Sequence, residues 1–270
     1  MTTDIHYLHS QVTGADADGI TGADLAAAEG TTGGEADTAQ DPYLSLTNLG
    51  FATVSFDPAN AHEIWCAGRH YIDRALGPLG TASLLILDLA NVTIKQWPGK
   101  APFQIYACNL CGIVGWTSLG AGVWTITLDT GLSMSAVVFD WDLAANIDAQ
   151  GRHKAHYKLA VSAAAVTGTG VQGKWFYEST TGLLTVGMHG SADPTAPAAN
   201  GVAYVVKNQI AIQFQAVGTP GIPYVVNPVV DSVRVNLICD TDSTSPGGSA
   251  ISFMSVSGAV CKNCIINDAG

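Results

Sequence analysis

The sequence predicts an all-β fold built as a solenoid of stacked coils. Three observations lead there. Of the 270 residues, 47% are hydrophobic, only 12% are charged and 30 are glycine, a balance in which Ser, Thr, Asn and Gly cover the surface in place of Lys and Glu. From Pro42 onward the apolar residues come in short runs broken by Gly, Pro, Asn and Asp, the pattern of many brief strands, with no long amphipathic helix. Finally, a polar residue recurs just ahead of an alternating apolar strand, in Asn91-Val-Thr-Ile-Lys, Asn208-Gln-Ile-Ala-Ile-Gln, Asp231-Ser-Val-Arg-Val-Asn and Asn263-Cys-Ile-Ile-Asn.

The step from the second of these segments, at Asn208, to the third, at Asp231, lies inside the repeat range of solenoids. The last step is longer and contains the loop-like stretch Asp240 to Ser249. One coil cannot bury its own apolar side chains, whereas stacked coils align equivalent Ile and Val residues in a continuous interior. A polar residue at each corner satisfies turn backbone and can stack as a ladder. A plain antiparallel sandwich with accidental similarity is the competing reading.

Along the chain, residues 11 to 41 are rich in Gly, Ala, Asp and Thr, an extended opening segment whose one helical possibility is Leu25 to Glu29. Strands are expected at Ala61 to Cys66, Ser83 to Leu87, Val92 to Trp97, Gly122 to Leu128, Ala136 to Trp141, Ala155 to Val161, Lys174 to Tyr177 and Leu183 to Met188. They continue at Ala203 to Val206, Gln209 to Gln215, Val233 to Cys239, Ala250 to Val256 and Cys264 to Asn267. Taken with the family resemblance set out below, which implies the inserted module, this divides the chain into an opening segment (1–41), first coils (42–107), an inserted module (108–200) and resumed coils (201–270). The last coil ends at Gly270 without a polar cap, which is expected of a solenoid whose further coils or partner chains lie beyond it.

Charge and leader signals narrow the function. Twenty-two acidic against eleven basic residues give a formal charge of −11, which repels a phosphate backbone and argues against nucleic acid as a partner. Met1 to Ser10 is acidic and strand-like, unlike an export signal, and no apolar stretch approaches the roughly 20 residues of a membrane span. Of the six cysteines, Cys108/Cys111 and Cys261/Cys264 have the spacing of half a zinc site. They sit among apolar residues, so buried free thiols are the expected state.

The opening IHYLHSQVTGADADG, then DPYLSLTNLGFA, IWCAGRHYID and Asn91 to Pro102 (NVTIKQWPGKAP), resemble the first coils of the pectate-lyase-like right-handed parallel β-helix proteins. GVWTITLDTG and KWFYESTTGLLTVG, the latter with Trp175, Tyr177, Gly182 and Leu184, are similar to a β-rich module that interrupts the early coils in that superfamily; Phe176 and Glu178 depart from its commoner residues. The resemblance covers about two thirds of the chain and consists of structural motifs. It implies a right-handed parallel β-helix, and a protein class that spans polysaccharide lyases, glycoside hydrolases, epimerases and bacteriophage tailspikes or fibres.

Candidate site residues follow from chemistry. A glycosidase needs carboxylates across a groove, and a lyase needs a base with a cation or arginine near the uronate. Asp231 with Arg234, and Asp240 with Asp242, are the solenoid groups in suggestive places, each competing with a corner or loop role. Asp16 and Asp18, in GADADG, offer calcium ligands, although turn chemistry accounts for them equally. Arg152, His153, His156 and Lys158 form a basic stretch able to meet an acidic sugar or to protect a strand edge. Trp97, Trp116, Trp124, Trp141, Trp175 and Tyr177 offer stacking faces, with core packing the expectation for Trp124 and Trp175.

The leading expectation is a phage virion appendage, a trimeric tailspike or fibre assembled in the host cytoplasm that binds bacterial surface polysaccharide, with any depolymerising site mostly beyond residue 270. Alternatives are a secreted, extracellular polysaccharide lyase or glycoside hydrolase, and a non-catalytic adhesin or structural shell. No obligatory cofactor is implied.

Overall fold

The computed structural model describes residues 2–9, 46, 49, 53, 56–71, 82–100, 102–111, 114–139, 157–166, 173–188, 193–195, 202–206, 210–216, 225–238 and 249–268. Within them the protein is all-β, and no helix is long and apolar enough to cross a membrane. The chain divides into two compact units. One comprises Met1–Ala107, Gln209–Ile238 and Gly248–Asn267, and the other is chiefly Cys108–Asn208, with Cys239–Gly247 and Asp268–Gly270.

The first unit begins with β1 (Thr3–His9), β2 (Ala61–Ala67), β3 (Arg69–Tyr71), β4 (Ala82–Leu87), β5 (Val92–Gln96) and β6 (Gln104–Tyr106). The second unit then supplies β7 (Asn109–Leu110), β8 (Thr117–Gly120), β9 (Val123–Thr127), β10 (Met134–Phe139), β11 (Lys158–Leu159), β12 (Lys174–Glu178), β13 (Leu183–Gly187) and β14 (Val202–Val206). The first unit resumes with β15 (Ile210–Gln215), β16 (Val225–Val226), β17 (Val229–Asp231), β18 (Arg234–Ile238), β19 (Ser249–Met254), β20 (Val256–Ser257), β21 (Val260–Lys262) and β22 (Ile265–Asp268).

Three sheets of the first unit are visited in rotation. The first has the order β1-β2-β5-β17-β21, with every pair parallel. The second runs β3-β6-β18-β22 and the third β4-β15-β19, each strand joining beside the one laid down a pass earlier. In-register parallel pairing stacks like on like in the interior. Ile64, Ile94 and Val230 form one fully buried column, with Cys261 next in register. Leu84 and Ile212 begin a second column, and Ile86, Phe214 and Phe253 a third, the two phenyl rings stacked at 5.4 Å. Leu46 and Leu49, three apart and both helical, add their side chains to the same core.

The true repeat is longer than the step from Asn208 to Asp231 suggested by the polar-led segments. Val92 pairs with His62, and Val260 with Val229, so a full pass separates each of these partners. Asn91 precedes a strand of the first sheet, Asn208 lies just ahead of a strand of the third, and Asp231 and Asn263 precede strands of the second. The motif therefore marks corners, of which each pass has several. The reason is backbone conformation: Asn91, Asn227, Ser232, Ser255 and Asn263 all have φ between 54° and 59°, a left-handed geometry that short polar side chains tolerate best. Stacked corners also bond one another, since Asn227 Nδ2 donates to Asn91 Oδ1 at 3.3 Å.

The first strand is held by side chains as well as backbone. His62 is buried and its Nε2–H donates to the Asp57 carbonyl, which leaves Nδ1 to accept from His6 Nε2 at 3.2 Å. His6 stacks on Phe56 with ring centroids 3.7 Å apart, and Asn60 Nδ2 donates to Asp4 at 2.9 Å.

The second unit is built differently. A five-stranded sheet of order β11-β12-β13-β9-β8, antiparallel except for β11 with β12, shares a core with the antiparallel sheet β10-β14-β7. Trp175, Tyr157, Leu184, Val186, Val137 and Val202 fill it, and Trp124 packs at its margin, as core packing of Trp124 and Trp175 requires. Trp175 donates its indole N–H to the Tyr157 carbonyl at 3.1 Å, so its polar atom is satisfied inside. The β12–β13 hairpin turns through Ser179 to Gly182. Gly182 has φ of 73°, and a Cβ there would lie 2.2 Å from the Leu128 carbonyl oxygen.

Gly182→Ala is accordingly expected to destabilise this unit by about 3 kcal/mol, strain and overlap combined. Gly131 has the same left-handed backbone with nothing near its missing Cβ, so Gly131→Ala should cost only about 1 kcal/mol. Denaturant midpoints followed by tryptophan fluorescence distinguish the two; equal losses would contradict the hairpin geometry.

Candidate functional site

The alternation of a strand sends every second residue outward, and the register of the first sheet aligns those outward residues into rows. One row crosses all five strands as Tyr7, Trp65, Lys95, Asp231 and Lys262. The row two residues earlier reads Ile5, Glu63, Thr93, Val229 and Val260. At a strand spacing of about 4.8 Å, the five strands present a face roughly 19 Å long.

Glu63 organises the near end of this face. Its Oε2 accepts from Lys95 Nζ at 2.7 Å and from the Trp65 indole N–H at 3.0 Å. The Lys95 hydrogen bond, then that of Trp65, hold the Glu63 carboxyl below its ordinary range. Lys95 also lies over the Trp65 ring, 4.9 Å from its centroid. Tyr7 meets Trp65 edge-on at 6.0 Å and Trp97 at 4.8 Å, and Lys100 sits 5.7 Å over Trp97. Trp97 is 6% exposed, so Tyr7 and Trp65 carry the accessible aromatic surface while Trp97 supports them from below.

Asp231 organises the far end. Its carboxylate accepts from Asn263 Nδ2 and from the Ser232 hydroxyl, both at 2.9 Å, and pairs with Lys262 at 3.3 Å. These contacts, Asn263 foremost, lower its pKa. The ion pair of Asp231 is with Lys262, because 231 and 262 are in register, whereas Arg234 lies past the corner at Ser232, beside Gln104 of the next sheet.

Lys158 is exposed on β11, an edge strand of the second unit, in the position of an edge-protecting charge. Its companions Arg152, His153 and His156 lie outside the described residues, as do Asp240, Asp242, Asp16, Asp18 and Trp141. Cys66, Cys108 and Cys111 are buried free thiols; burial pushes Cys108 upward and Cys111 to about 12. No group of three or more metal-ligating side chains occurs among the described residues, so Cys108 and Cys111 have no further ligands there to complete a zinc site. The expectation of burial is corrected for the other pair. Cys261 is exposed and Cys264 half-buried, because both lie on the last described pass, where no further strand covers them.

The sequence reading missed Tyr7, Glu63, Trp65, Lys95 and Lys100. Alternation alone places the first four outward, but only the pairing of β2 with β5, a full pass apart, brings Lys95 to Trp65.

Because its folded-state pKa is depressed, Asp231 contributes stability that is present above its unfolded pKa and is lost as pH falls through the folded value. Between neutral pH and the acid end of the carboxylate range, the wild-type chain should therefore lose more stability than Asp231→Asn, by less than about 1 kcal/mol for so open a pair. Denaturant midpoints at the two pH values test this, and an identical loss in both chains would refute it. No family model, curated protein or solved structure matches the chain.

Proposed function

We propose that the chain is a tailspike-like or fibre-like virion appendage, a right-handed parallel β-helix that binds bacterial surface polysaccharide along the outward face of its five-stranded parallel sheet. The observation that carries this reading is the row Tyr7, Trp65, Lys95, Asp231 and Lys262, flanked by Glu63 and Thr93.

A sugar presents an apolar face of C–H groups and an equator of hydroxyls. Aromatic surface receives the first, and carboxylates, ammonium groups and a threonine hydroxyl bond the second. The two aromatic rings stand at the β1–β2 end of the row and the charged groups follow on β5, β17 and β21, at a strand spacing close to the length of one hexose unit, so an extended glycan laid across the strands meets first the stacking faces and then the hydroxyl-binding groups. The pairing of Lys95 with Glu63 and of Lys262 with Asp231 keeps the face locally balanced within a chain of net charge −11. Three parallel sheets visited in rotation support the β-helix reading. Three buried, unpaired thiols suit folding in a reducing host cytoplasm.

Affinity electrophoresis of the purified chain through gels containing neutral or acidic bacterial surface polysaccharides tests the reading. At least one glycan class should retard the wild type. Trp65→Ala should weaken binding about tenfold, equivalent to about 1.4 kcal/mol, with far-ultraviolet circular dichroism unchanged, while Trp65→Phe, which keeps a ring, retains most of it. No retardation by any polysaccharide, or equal retardation of the Trp65→Ala chain, overturns the proposal.

A further inference from the structure

The charges on the outward face of the first sheet are satisfied from within. Glu63 is in register with Thr93, and Lys95, the next outward residue of that strand, reaches diagonally across to it at 2.7 Å. Asp231 and Lys262 repeat such a pairing at 3.3 Å. A further lysine, Lys100, lies over the Trp97 ring. The bond from Lys95, then that from the Trp65 indole, holds the Glu63 carboxyl below its ordinary range, so the first pair is fully charged at neutral pH.

This ion pair leaves polar atoms to spare. Lys95 Nζ and the Trp65 indole N–H both bond Glu63 Oε2, so Oε1 keeps its capacity to accept and the ammonium keeps further N–H groups to donate. Neither side chain is enclosed, with exposures of 30% for Glu63 and 27% for Lys95. A donor and an acceptor held together in this way match two adjacent hydroxyls of a sugar ring, one accepting from Lys95 and the next donating to Glu63.

Resting on the glycan-binding reading of this face, we propose that it selects neutral glycans whose hexopyranose units carry adjacent free hydroxyls, and that Glu63 discriminates against acidic ones. The reason is electrostatic. A glycan carboxylate that reached Lys95 would come beside Glu63, whose oxygen already lies 2.7 Å from the same ammonium, so two like charges would compete for one cation. The net charge of −11 adds a repulsion of polyanions at longer range. A hydroxyl meets no such opposition, since it accepts and donates without displacing either partner.

Matched polysaccharides isolate the charge. Affinity electrophoresis of the full chain through gels containing hyaluronan, gellan or alginate is compared with the carboxyl-reduced form of each, in which every uronate has become a neutral hexose, and with dextran. At least one neutral polymer should retard the wild type, and a carboxyl-reduced form that does so should bind about tenfold more tightly than its acidic parent. Retardation by the neutral polymer should be equal at about 50 and about 500 mM sodium chloride. Periodate oxidation followed by borohydride reduction, which opens adjacent diols, should remove it. Glu63→Gln keeps an oxygen to accept the indole N–H but not the charge, and should narrow the neutral-to-acidic ratio about fivefold.

Acidic parents bound as tightly as their reduced forms, retardation that survives periodate, or an unchanged ratio in Glu63→Gln overturns the proposal while leaving the glycan-binding face in place. No retardation by any of the polymers overturns both. The wild-type comparisons need no variant, so they decide the matter should the Glu63→Gln chain fail to fold.

Discussion

Parallel pairing at fixed register is the constraint on which the first unit rests. A single strand such as Val92–Gln96 can bury Ile94 only if another strand lies on each side with an apolar residue at the same height. Ile64 and Val230 supply those neighbours. Each such aliphatic side chain contributes about 1.5–3 kcal/mol when fully withdrawn from water, and a one-residue slip would send the whole set outward. The same register, seen from outside, sets Lys95 beside Trp65 and Lys262 beside Asp231. Interior columns and exterior rows are two faces of one pairing scheme.

The sequence made individual strands legible far better than their assignment to sheets. Alternation in Val92–Gln96 is strong enough to read directly. The polar-led motif was misleading as a ruler, because Asn, Asp and Ser mark any corner with left-handed backbone, and one pass contains several. Asp231 and Arg234, close in sequence, invite pairing by proximity, yet the corner at Ser232 turns them onto different sheets. Lys262, from the following pass, is the partner. Trp65 and Glu63 were readable as outward residues, but their joint hold on Lys95 depends on a register that no local pattern encodes.

The polar contacts on the outward face are organisers more than stabilisers. Glu63 and Lys95 are each about a third exposed, with side-chain exposures of 30% and 27%, and pairs of that kind contribute little net stability. What they do is fix rotamers. Glu63 orients the Trp65 indole through its N–H, and Lys95 is drawn over the ring, so the face is preordered at little entropic loss on binding. Asp231, with donors from Asn263, Ser232 and Lys262, is held in the same manner.

The excursion between β6 and β15 bears on how quickly such a structure can assemble. Ala82 and Ile210 are paired neighbours although the whole stretch Cys108–Asn208 lies between them in the chain, and a flexible loop of that length slows the search for native contacts. Within the excursion, however, Asn109 pairs with Tyr204, so the folded second unit brings its two ends together on its own. Once it has formed, Tyr106 and Ile210 are joined by what is in effect a short tether. An insertion that lengthens the chain most thus delays assembly least, provided that it folds first.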